Sequence, residues 1–202
     1  MISAFLLKIY NLPRVLLMKW SIHFNRWYFK AKGIKYGQNL NIIGAPYVSG
    51  NGSIKIGNNF IMTNGDGINP ISSNMRGTFH TEKNAQICIG DNVGMSATRL
   101  WISQGLTIGN NVKIGACSLI IDTDTHPLDY KIRRTSNDET KSAAITIEDD
   151  VWIGAHCIIL KGVTIGARSI IGAGSIVTSD IPSDSIAAGN PCKIIKQSNK
   201  QI

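Results

Sequence analysis

Aliphatic residues recur every six positions toward the end of the chain. From Ile147 the sequence reads IEDDVW, IGAHCI, ILKGVT, IGARSI, IGAGSI and VTSDIP, and the first letter of each group is Ile or Val. The fifth letter is always small or aliphatic. A half-buried strand alternates every two residues and an amphipathic helix repeats about every 3.6, so a period of six fits neither. It predicts a short strand and a turn, repeated, with one aliphatic residue per strand pointing inward.

The same phase continues upstream with two interruptions. It slips near Trp101 and again between Ile120 and Ile147. Gly and Asn are frequent at the second to fourth positions of the groups, where they supply backbone freedom for corners. The sequence therefore predicts one all-β domain of stacked coils. Earlier groups begin at Ile56, Ile89, Ile102, Ile108 and Ile114.

Residues 1–36 follow a different pattern, in which Leu, Ile, Trp and Phe are mixed with regularly spaced cations. We expect a basic amphipathic helical extension in which Pro13 starts a second helix after a short first one. Lys8, Arg14 and Lys19 break every window of the ~18 apolar residues that a transmembrane span needs. The segment also lacks the basic start and the cleavage site of a secretory signal.

Two roles for this extension stay open. A helix pair could cap the open end of the stacked coils, as repeat architectures require. It could also rest on an anionic membrane through residues 1–35, on the cytoplasmic side, and one helix pair could do both. No Asp or Glu precedes Asp66, and the eight cations before it equal the whole net charge of +8. Without a zinc-ligand pattern, RNP motif or helix-turn-helix, we expect no nucleic acid partner.

The stretch DTDTHPLDY, residues 122–130, breaks the repeat. The next inward aliphatic residue is due at position 126, where the chain has His126 followed by a proline. The chain leaves the coil here and returns by Ile145, so residues 126–145 are predicted to form an extruded loop, a usual location of functional residues. A lone histidine at a strand end is, without further context, more often a polar cap than a catalyst.

Three segments resemble the galactoside, maltose and capsular-sugar O-acetyltransferases of the hexapeptide-repeat acyltransferase superfamily. They are THPLD at 125–129, the six groups at 147–182 and AAGNPCKIIK at 187–196. The hexapeptide repeat itself resembles that superfamily over residues 54–181. The resemblance implies a left-handed parallel β-helix, all-β apart from a short α-helical N-terminal extension and the extruded loop.

The resemblance divides the chain into the extension at 1–36, a β-helix acetyltransferase domain at 37–190 and a C-terminal basic tail at 191–202. The length of 202 residues leaves no need for a second full domain. Four scattered cysteines without a CxxC pair show neither a disulfide framework nor metal-ligand spacing, which indicates the reducing cytoplasm. They are Cys88, Cys117, Cys157 and Cys192.

The implied activity is transfer of an acetyl group from acetyl-CoA to a sugar hydroxyl. The histidine of the family's THP motif is the general base, which is His126 here, and histidine is well suited to accept a proton near neutrality. Asp122 or Asp124 could orient its ring or cap the turn, and we assign Asp124 to the catalytic group. The backbone N–H of Ala155 matches the family's oxyanion donor.

The resemblance also implies binding residues. Ser96 falls near the family's acceptor-binding residue, and Trp152 matches an aromatic that lines the active site, although it could instead be a subunit-interface residue. Arg133 and Arg134 in the loop favour an anionic acceptor or form a solvated rim. The cofactor-binding positions are Ala155, Ala173 and Thr178, the last two along the pantetheine arm, with Lys193 and Lys196 facing the nucleotide phosphates.

Ser179 departs from the family, which commonly has a lysine there. His80, His126 and His156 lack the close histidine pair of the β-helical carbonic anhydrases, so no metal is expected. The family places donor and acceptor between subunits of a homotrimer, with a sugar or glycan acceptor.

The expected setting is surface polysaccharide biosynthesis: capsule, lipopolysaccharide or exopolysaccharide. The alternative is an N-acetyltransferase for an amino sugar of a nucleotide-sugar pathway, since the same base and donor site would serve an amine. A non-catalytic ice-binding solenoid would need a flat threonine array, which the sequence lacks.

Overall fold

The computed structural model describes residues 2–65, 68–72, 74–135 and 140–197, with side chains from Leu16 onward. Residues 136–139 of the predicted loop and residues 198–202 of the predicted basic tail lie outside this range, as do the side chains of Lys8 and Arg14.

Short strands wind through three sheets, which we name A, B and C. Successive strands pass from sheet A to B to C, so each coil adds one strand to each sheet and like strands pair in parallel. The fold is the predicted left-handed parallel β-helix. Sheet A contains β1 (Lys35–Tyr36), β4 (Ser53–Ile56), β7 (Gln86–Ile89), β10 (Gly105–Ile108), β13 (Ile145–Ile147) and β16 (Thr164–Ile165). Sheet B contains β2 (Asn41–Ile43), β5 (Ile61–Thr63), β8 (Gly94–Ser96), β11 (Lys113–Ile114), β14 (Trp152–Ile153), β17 (Ile170–Ile171), β19 (Ser185–Ala188) and β20 (Lys193–Gln197). Sheet C contains β3 (Tyr47–Gly50), β6 (Thr78–Thr81), β9 (Arg99–Ile102), β12 (Leu119–Ile121), β15 (Ile158–Ile159) and β18 (Ile176–Val177).

The core is the predicted aliphatic ladder. Ile147 pairs in register with Ile165, and Ile159 pairs with Val177, so like residues stack from coil to coil. This stacking removes the ladder side chains from water, which is the main stabilising term for such a fold. The inward residues Ile147, Ile153, Ile159, Ile165, Ile171 and Val177 are fully buried.

The fifth positions of the groups are also buried, as predicted. Two of them are serines, whose burial is tolerated because each hydroxyl donates a hydrogen bond. Ser169 Oγ donates to the carbonyl of Pro182 at 2.8 Å, and Ser175 Oγ to that of Gly172 at 2.5 Å.

Asparagines form one corner of the coils, between sheets A and B. Asn59, Asn92 and Asn111 have φ of 56°, 59° and 59°, which asparagine tolerates better than most residues. Asn59 Nδ2 donates to Asn92 Oδ1 at 2.9 Å, and Asn92 Nδ2 to Asn111 Oδ1 at 3.0 Å. The amide ladder therefore ties successive corners together.

The N-terminal extension is a single helix, α1 (Ile2–Ala31). The prediction that Pro13 starts a second helix is wrong. A proline inside a helix removes one backbone hydrogen bond, and the strong helix formers on both sides maintain the remaining ones. The helix ends at Ala31, Gly33 follows with a φ of 73°, and strand β1 begins at Lys35, inside the range predicted for the extension.

The C-terminal half of α1 covers the open end of the β-helix. Phe29 is fully buried and meets Phe79 edge to face with centroids 5.6 Å apart. Asn25 Nδ2 donates to the carbonyls of Ile42 at 2.8 Å and Gly44 at 2.7 Å. These bonds occupy edge carbonyls of the first coil, so the capping interpretation agrees with the structure. Within the described range, no helix is long and apolar enough to cross a membrane.

The opposite end closes with β20, which runs antiparallel to β19. The prediction treated this segment as a tail from residue 191. Its described part is instead an edge strand, because pairing with β19 satisfies the backbone groups of the last coil.

Candidate active site

The predicted base lies on a loop that leaves the corner between sheets C and A. Thr123 and Ser142 form an antiparallel bridge at its neck, and the N–H of Asp124 donates to the carbonyl of Lys141 at 3.1 Å. His126 follows two residues later and is exposed. The neck therefore fixes the backbone from which His126 projects.

The loop continues through a short helix, α2 (Tyr130–Arg133), which Asp129 caps by accepting the Lys131 N–H at 2.7 Å. Arg133 Nη1 donates to the carbonyl of Pro127 at 2.7 Å. Arg134 lies over the Tyr130 ring, 5.1 Å from its centroid. Both predicted acceptor-binding arginines therefore make contacts within the loop itself. The contact of Arg133 is with Pro127, the residue that follows His126.

The structure separates the two aspartates that sequence reasoning considered together. Asp122 is fully buried, and its carboxylate accepts the N–H groups of Ser103, Gln104 and Gly105 at 2.6 to 2.8 Å. Three such bonds satisfy most of the carboxylate's accepting capacity. Asp122 is thus the turn cap of the preceding coil.

Asp124 has a different partner, Lys161, whose ammonium group forms an ion pair with Oδ1. Both side chains are largely shielded, at 17% and 30% exposed. The second oxygen, Oδ2, is buried and has no hydrogen-bond partner among the described residues. Sequence reasoning missed Lys161, although its place in ILKGVT puts it at the same corner as the loop, in the next coil.

The other predicted residues lie at the corner between sheets B and C. Here the N–H of Cys117 donates to the carbonyl of Ser96 at 3.1 Å, and the N–H of Gly174 donates to that of Ala155 at 2.8 Å. Ser96, Ala155 and Ala173 therefore occupy equivalent places in separate coils. Ser96 Oγ is hydrogen-bonded to Thr63 Oγ1 at 2.7 Å.

Ala155 offers an N–H group at this corner. The N–H groups on either side, of Gly154 and His156, donate to carbonyls at 2.8 Å. Among the described residues, no backbone carbonyl accepts the N–H of Ala155. Trp152 is in the same coil, on strand β14 between Lys113 and Ile170, with 56% of its surface exposed.

The predicted donor-site residues are divided between faces. Ala173 is exposed at the B-to-C corner, and Lys193 and Lys196 are exposed on β20 of sheet B. Thr178 is exposed beyond β18, on the far side of sheet C. Within one chain, Ala155 and Ala173 therefore lie at the same corner in neighbouring coils, whereas Thr178 lies at the other edge of sheet C.

The two halves of the predicted site lie on different edges of the β-helix. Ala155 precedes sheet C and Lys161 follows it, six residues later. At ~3.3 Å per extended residue, the edges are about 15–20 Å apart. The predicted base and the predicted oxyanion donor of a single chain therefore lie at the two corners that flank sheet C, and not next to each other.

The cysteines Cys117 and Cys157 are buried in the β-helix. Cys157 is fully buried in the core, and burial raises the pKa of its thiol above the ordinary value. Burial likewise raises the thiol pKa of Cys117, whose Sγ faces the carbonyls of Ile71 and Ser72. Neutral thiols are poor nucleophiles. Within the described ranges, no group of three or more His, Cys, Asp or Glu could hold a metal ion.

Part of the repeat matches a known protein family. Residues 144–179 match the family described as bacterial transferase hexapeptide (six repeats). The galactoside O-acetyltransferase of Escherichia coli (strain K12) is 49% identical over 94 residues, which are 46% of this chain and 45% of that protein. The chain thus spans about half the length of the curated relatives it matches.

Two solved structures are also similar. A hexapeptide-repeat acetyltransferase from Vibrio cholerae is 38% identical with a TM-score of 0.53, covering 56% of this chain and 64% of that one. The N-acyltransferase AntD from Bacillus cereus shares the fold, with a TM-score of 0.64 at 21% identity over 85% of this chain and 89% of that one.

Proposed function

We propose that this protein is an O-acetyltransferase that moves an acetyl group from acetyl-CoA to a sugar hydroxyl, with His126 as general base. The observation that carries the proposal is the loop neck. It presents His126 where the repeat is interrupted after Ile120, two residues after Asp124 of the shielded Asp124–Lys161 pair. Similarity to a galactoside O-acetyltransferase supports the reaction class.

In the proposed reaction, a ring nitrogen of His126 takes the hydroxyl proton as the hydroxyl oxygen attacks the thioester carbonyl carbon. The carbonyl oxygen becomes an oxyanion, to which the N–H of Ala155 donates. The C–S bond then breaks, and the sulfur of CoA leaves with the proton that His126 returns. The products are the acetylated sugar and CoA.

Asp124 and Lys161 would position the base. Lys161 fixes Oδ1 of Asp124, which leaves the buried Oδ2 available to accept a hydrogen bond from the histidine ring. A carboxylate in that place would hold the ring in one orientation and stabilise its protonated form.

The site would be shared between copies of the chain. Sheet C separates His126 from Ala155, and the outward row of sheet C includes the aliphatic residues Leu119, Ile158 and Ile176. Three copies with sheet C facing a common axis would bury these residues. They would also bring the His126 edge of one copy to the Ala155 edge of the next.

The donor would lie along that edge, with Ala173 and Thr178 of neighbouring copies beside the pantetheine arm. Lys193 and Lys196 supply the exposed cations that CoA phosphates need. The acceptor would enter beside Ser96 and Trp152, with Arg133 and Arg134 at the rim.

The proposed setting is surface polysaccharide assembly on the cytoplasmic side of the membrane. The contact of residues 1–35 with an anionic membrane is part of this proposal, because the acceptor would then be held near the surface where glycan chains grow.

The test is thiol release from acetyl-CoA with a panel of sugars, amino sugars and lipid-linked glycans. We expect one hydroxyl acceptor to support turnover and His126→Ala to reduce it by about 10² or more, with CoA binding retained. Equal rates for both proteins would contradict the assignment of His126, and turnover with amino sugars alone would contradict O-acetylation.

A further inference from the structure

The outward face of helix α1 carries large apolar side chains, which we name the aromatic stripe. Trp20 and Phe24 are stacked with centroids 5.2 Å apart, and Phe24 and Trp27 are 5.6 Å apart. Exposed apolar surface of this extent marks an interaction site more often than an accident of sequence. The members are Leu16 (58% exposed), Leu17 (66%), Trp20 (63%), Phe24 (43%) and Trp27 (63%).

The stripe faces away from the β-helix. Its members Leu16, Trp20, Phe24 and Trp27 are separated by four, four and three residues, which places them along one side of a helix. Asn25 and Phe29, on the opposite side, are buried against the first coil. The bonds of Asn25 to Ile42 and Gly44 fix this rotation. The docked helix therefore keeps the stripe at the end of the molecule, pointing outward.

Cations border the stripe. Lys19 and Lys30 are exposed, and each lies three residues from a member of the stripe, Leu16 and Trp27 respectively. Residues 1–65 contain no Asp or Glu. A second copy of this face would bring like charges together, whereas an anionic surface complements them.

The residue types also favour lipid. Tryptophan has a large apolar ring and one N–H donor, which suits the boundary between hydrocarbon and water. An amphipathic helix with aromatic residues on one face and lysines beside them lies in the plane of the membrane interface. Among the residues that the structure describes, no helix is long and apolar enough to span a bilayer.

We infer that the aromatic stripe docks on an anionic lipid bilayer, with α1 parallel to the surface and the β-helix extending away from it. The stripe would enter the headgroup region while Lys19 and Lys30 contact lipid phosphates. The docking rests on the membrane contact proposed above for residues 1–35, and it does not depend on the proposed reaction. If the proposed trimer forms around an axis along the coils, three stripes lie at the same end and bind with avidity.

Sedimentation of the full-length protein with vesicles tests this inference without any acetyl donor or acceptor. One vesicle set is phosphatidylcholine, and the other contains about one quarter phosphatidylglycerol. We expect at least ~10-fold stronger partitioning into the anionic vesicles and weaker binding as salt rises from ~0.1 to ~0.5 M. The double variant Trp20→Ser/Trp27→Ser should lose at least ~10-fold of the partitioning.

The matched control is Ile194→Ser/Ile195→Ser on β20, which removes exposed apolar side chains from the other end of the molecule and should partition as the wild type does. Circular dichroism establishes that the stripe variant is folded. Equal partitioning of the stripe variant and the wild type would overturn the inference, and so would an absence of wild-type partitioning. A change of oligomeric state in the stripe variant without vesicles would instead assign the stripe to a second copy.

Discussion

The outward faces of sheets A and C differ although the same repeat builds both. In sheet A, one outward row runs through Lys55, Cys88, Thr107, Thr146 and Thr164. In sheet C, the matching row passes through Tyr47, Thr78 and Arg99 and then through Leu119, Ile158 and Ile176, so its last three members are aliphatic where those of sheet A are threonines. The inward ladders of both sheets are apolar, so the fold alone does not require this difference. We interpret it as the difference between a face that meets water and a face that meets another copy.

The inward and outward positions of the hexapeptide therefore have different roles. The inward positions specify the coil, and the outward positions and corners are free to specify assembly and chemistry. The corner after sheet C carries His126 and Lys161, whereas the corner after sheet A carries the asparagine ladder. Substitutions at matched positions of the two sheets therefore test whether the two faces differ in this way.

The largest effect is expected from a charge on sheet C. Ile158→Asp should convert the proposed trimer to monomers and reduce the proposed acetyl transfer by at least ~10², because the two halves of the site would separate. Thr164→Asp, on sheet A, should preserve both the assembly and the rate. Analytical ultracentrifugation and thiol release measure the two outcomes. A trimeric, active Ile158→Asp variant would show that sheet C is not the shared face.

The next effect separates inward from outward positions within one strand. Ile171→Ala should lower the free energy of unfolding by about 2–5 kcal/mol, because Ile171 is fully buried in the ladder. Ile170→Ala, its neighbour on β17, should cost less than about 1 kcal/mol in the dissociated chain. Denaturant unfolding measures both values. Equal costs would mean that the two faces of β17 are packed alike.

A smaller effect on the rate is expected at the corner after sheet C. Lys161→Met should lower kcat by roughly 10-fold with little change in KM for acetyl-CoA, because Asp124 would lose the partner that fixes it. The pH profile of kcat/KM should shift with it, and Lys161→Arg should recover much of the rate. A loss confined to thermal stability, with an unchanged pH profile, would make Lys161 a structural residue only.

The smallest effect is expected at an exposed corner pair. Arg168 donates to Asp184 at 2.7 Å, and this hydrogen bond holds the pKa of the Asp184 carboxyl below its ordinary value. A depressed carboxyl pKa stabilises the fold above the unfolded pKa, and the contribution is lost as pH falls through the folded pKa. Arg168→Ala should lower Tm by ~1–2 °C near neutral pH, and the difference should disappear in acid below the ordinary carboxyl range. A difference that persists in acid would point to lost packing instead.

The aliphatic ladder, the loop and the position of His126 in that loop could be predicted from the sequence. The ladder follows a period of six, and the loop with His126 is the place where that period breaks. The sequence was not sufficient for the continuity of α1 through Pro13, since a local break signal competes there with the helix formers around it. Asp124 was assigned to the catalytic group, but no local signal separated it from Asp122. Their separation depends on which coil each one faces.

Lys161 could not be predicted for the same reason. It contacts Asp124 across 37 residues of sequence. The contact arises only when the coil after the loop stacks in register on the coil before it. The separation of His126 from Ala155 by sheet C is likewise a property of the wound chain, and no spacing in the sequence expresses it.

We propose that His126 of one chain works with the Ala173 edge of another, and mixed assemblies test this directly. His126→Ala removes the base, and Ala173→Trp fills the exposed donor position, so each variant alone should be inactive. In an equal mixture, half of the chains keep His126 and the other half keep Ala173. Random assembly should therefore restore about one quarter of the sites, because each site needs both residues from neighbouring chains. Acetyl transfer near one quarter of the wild-type rate, in assemblies verified by sedimentation, is the predicted result. Mixed trimers that stay inactive would contradict a site shared between chains.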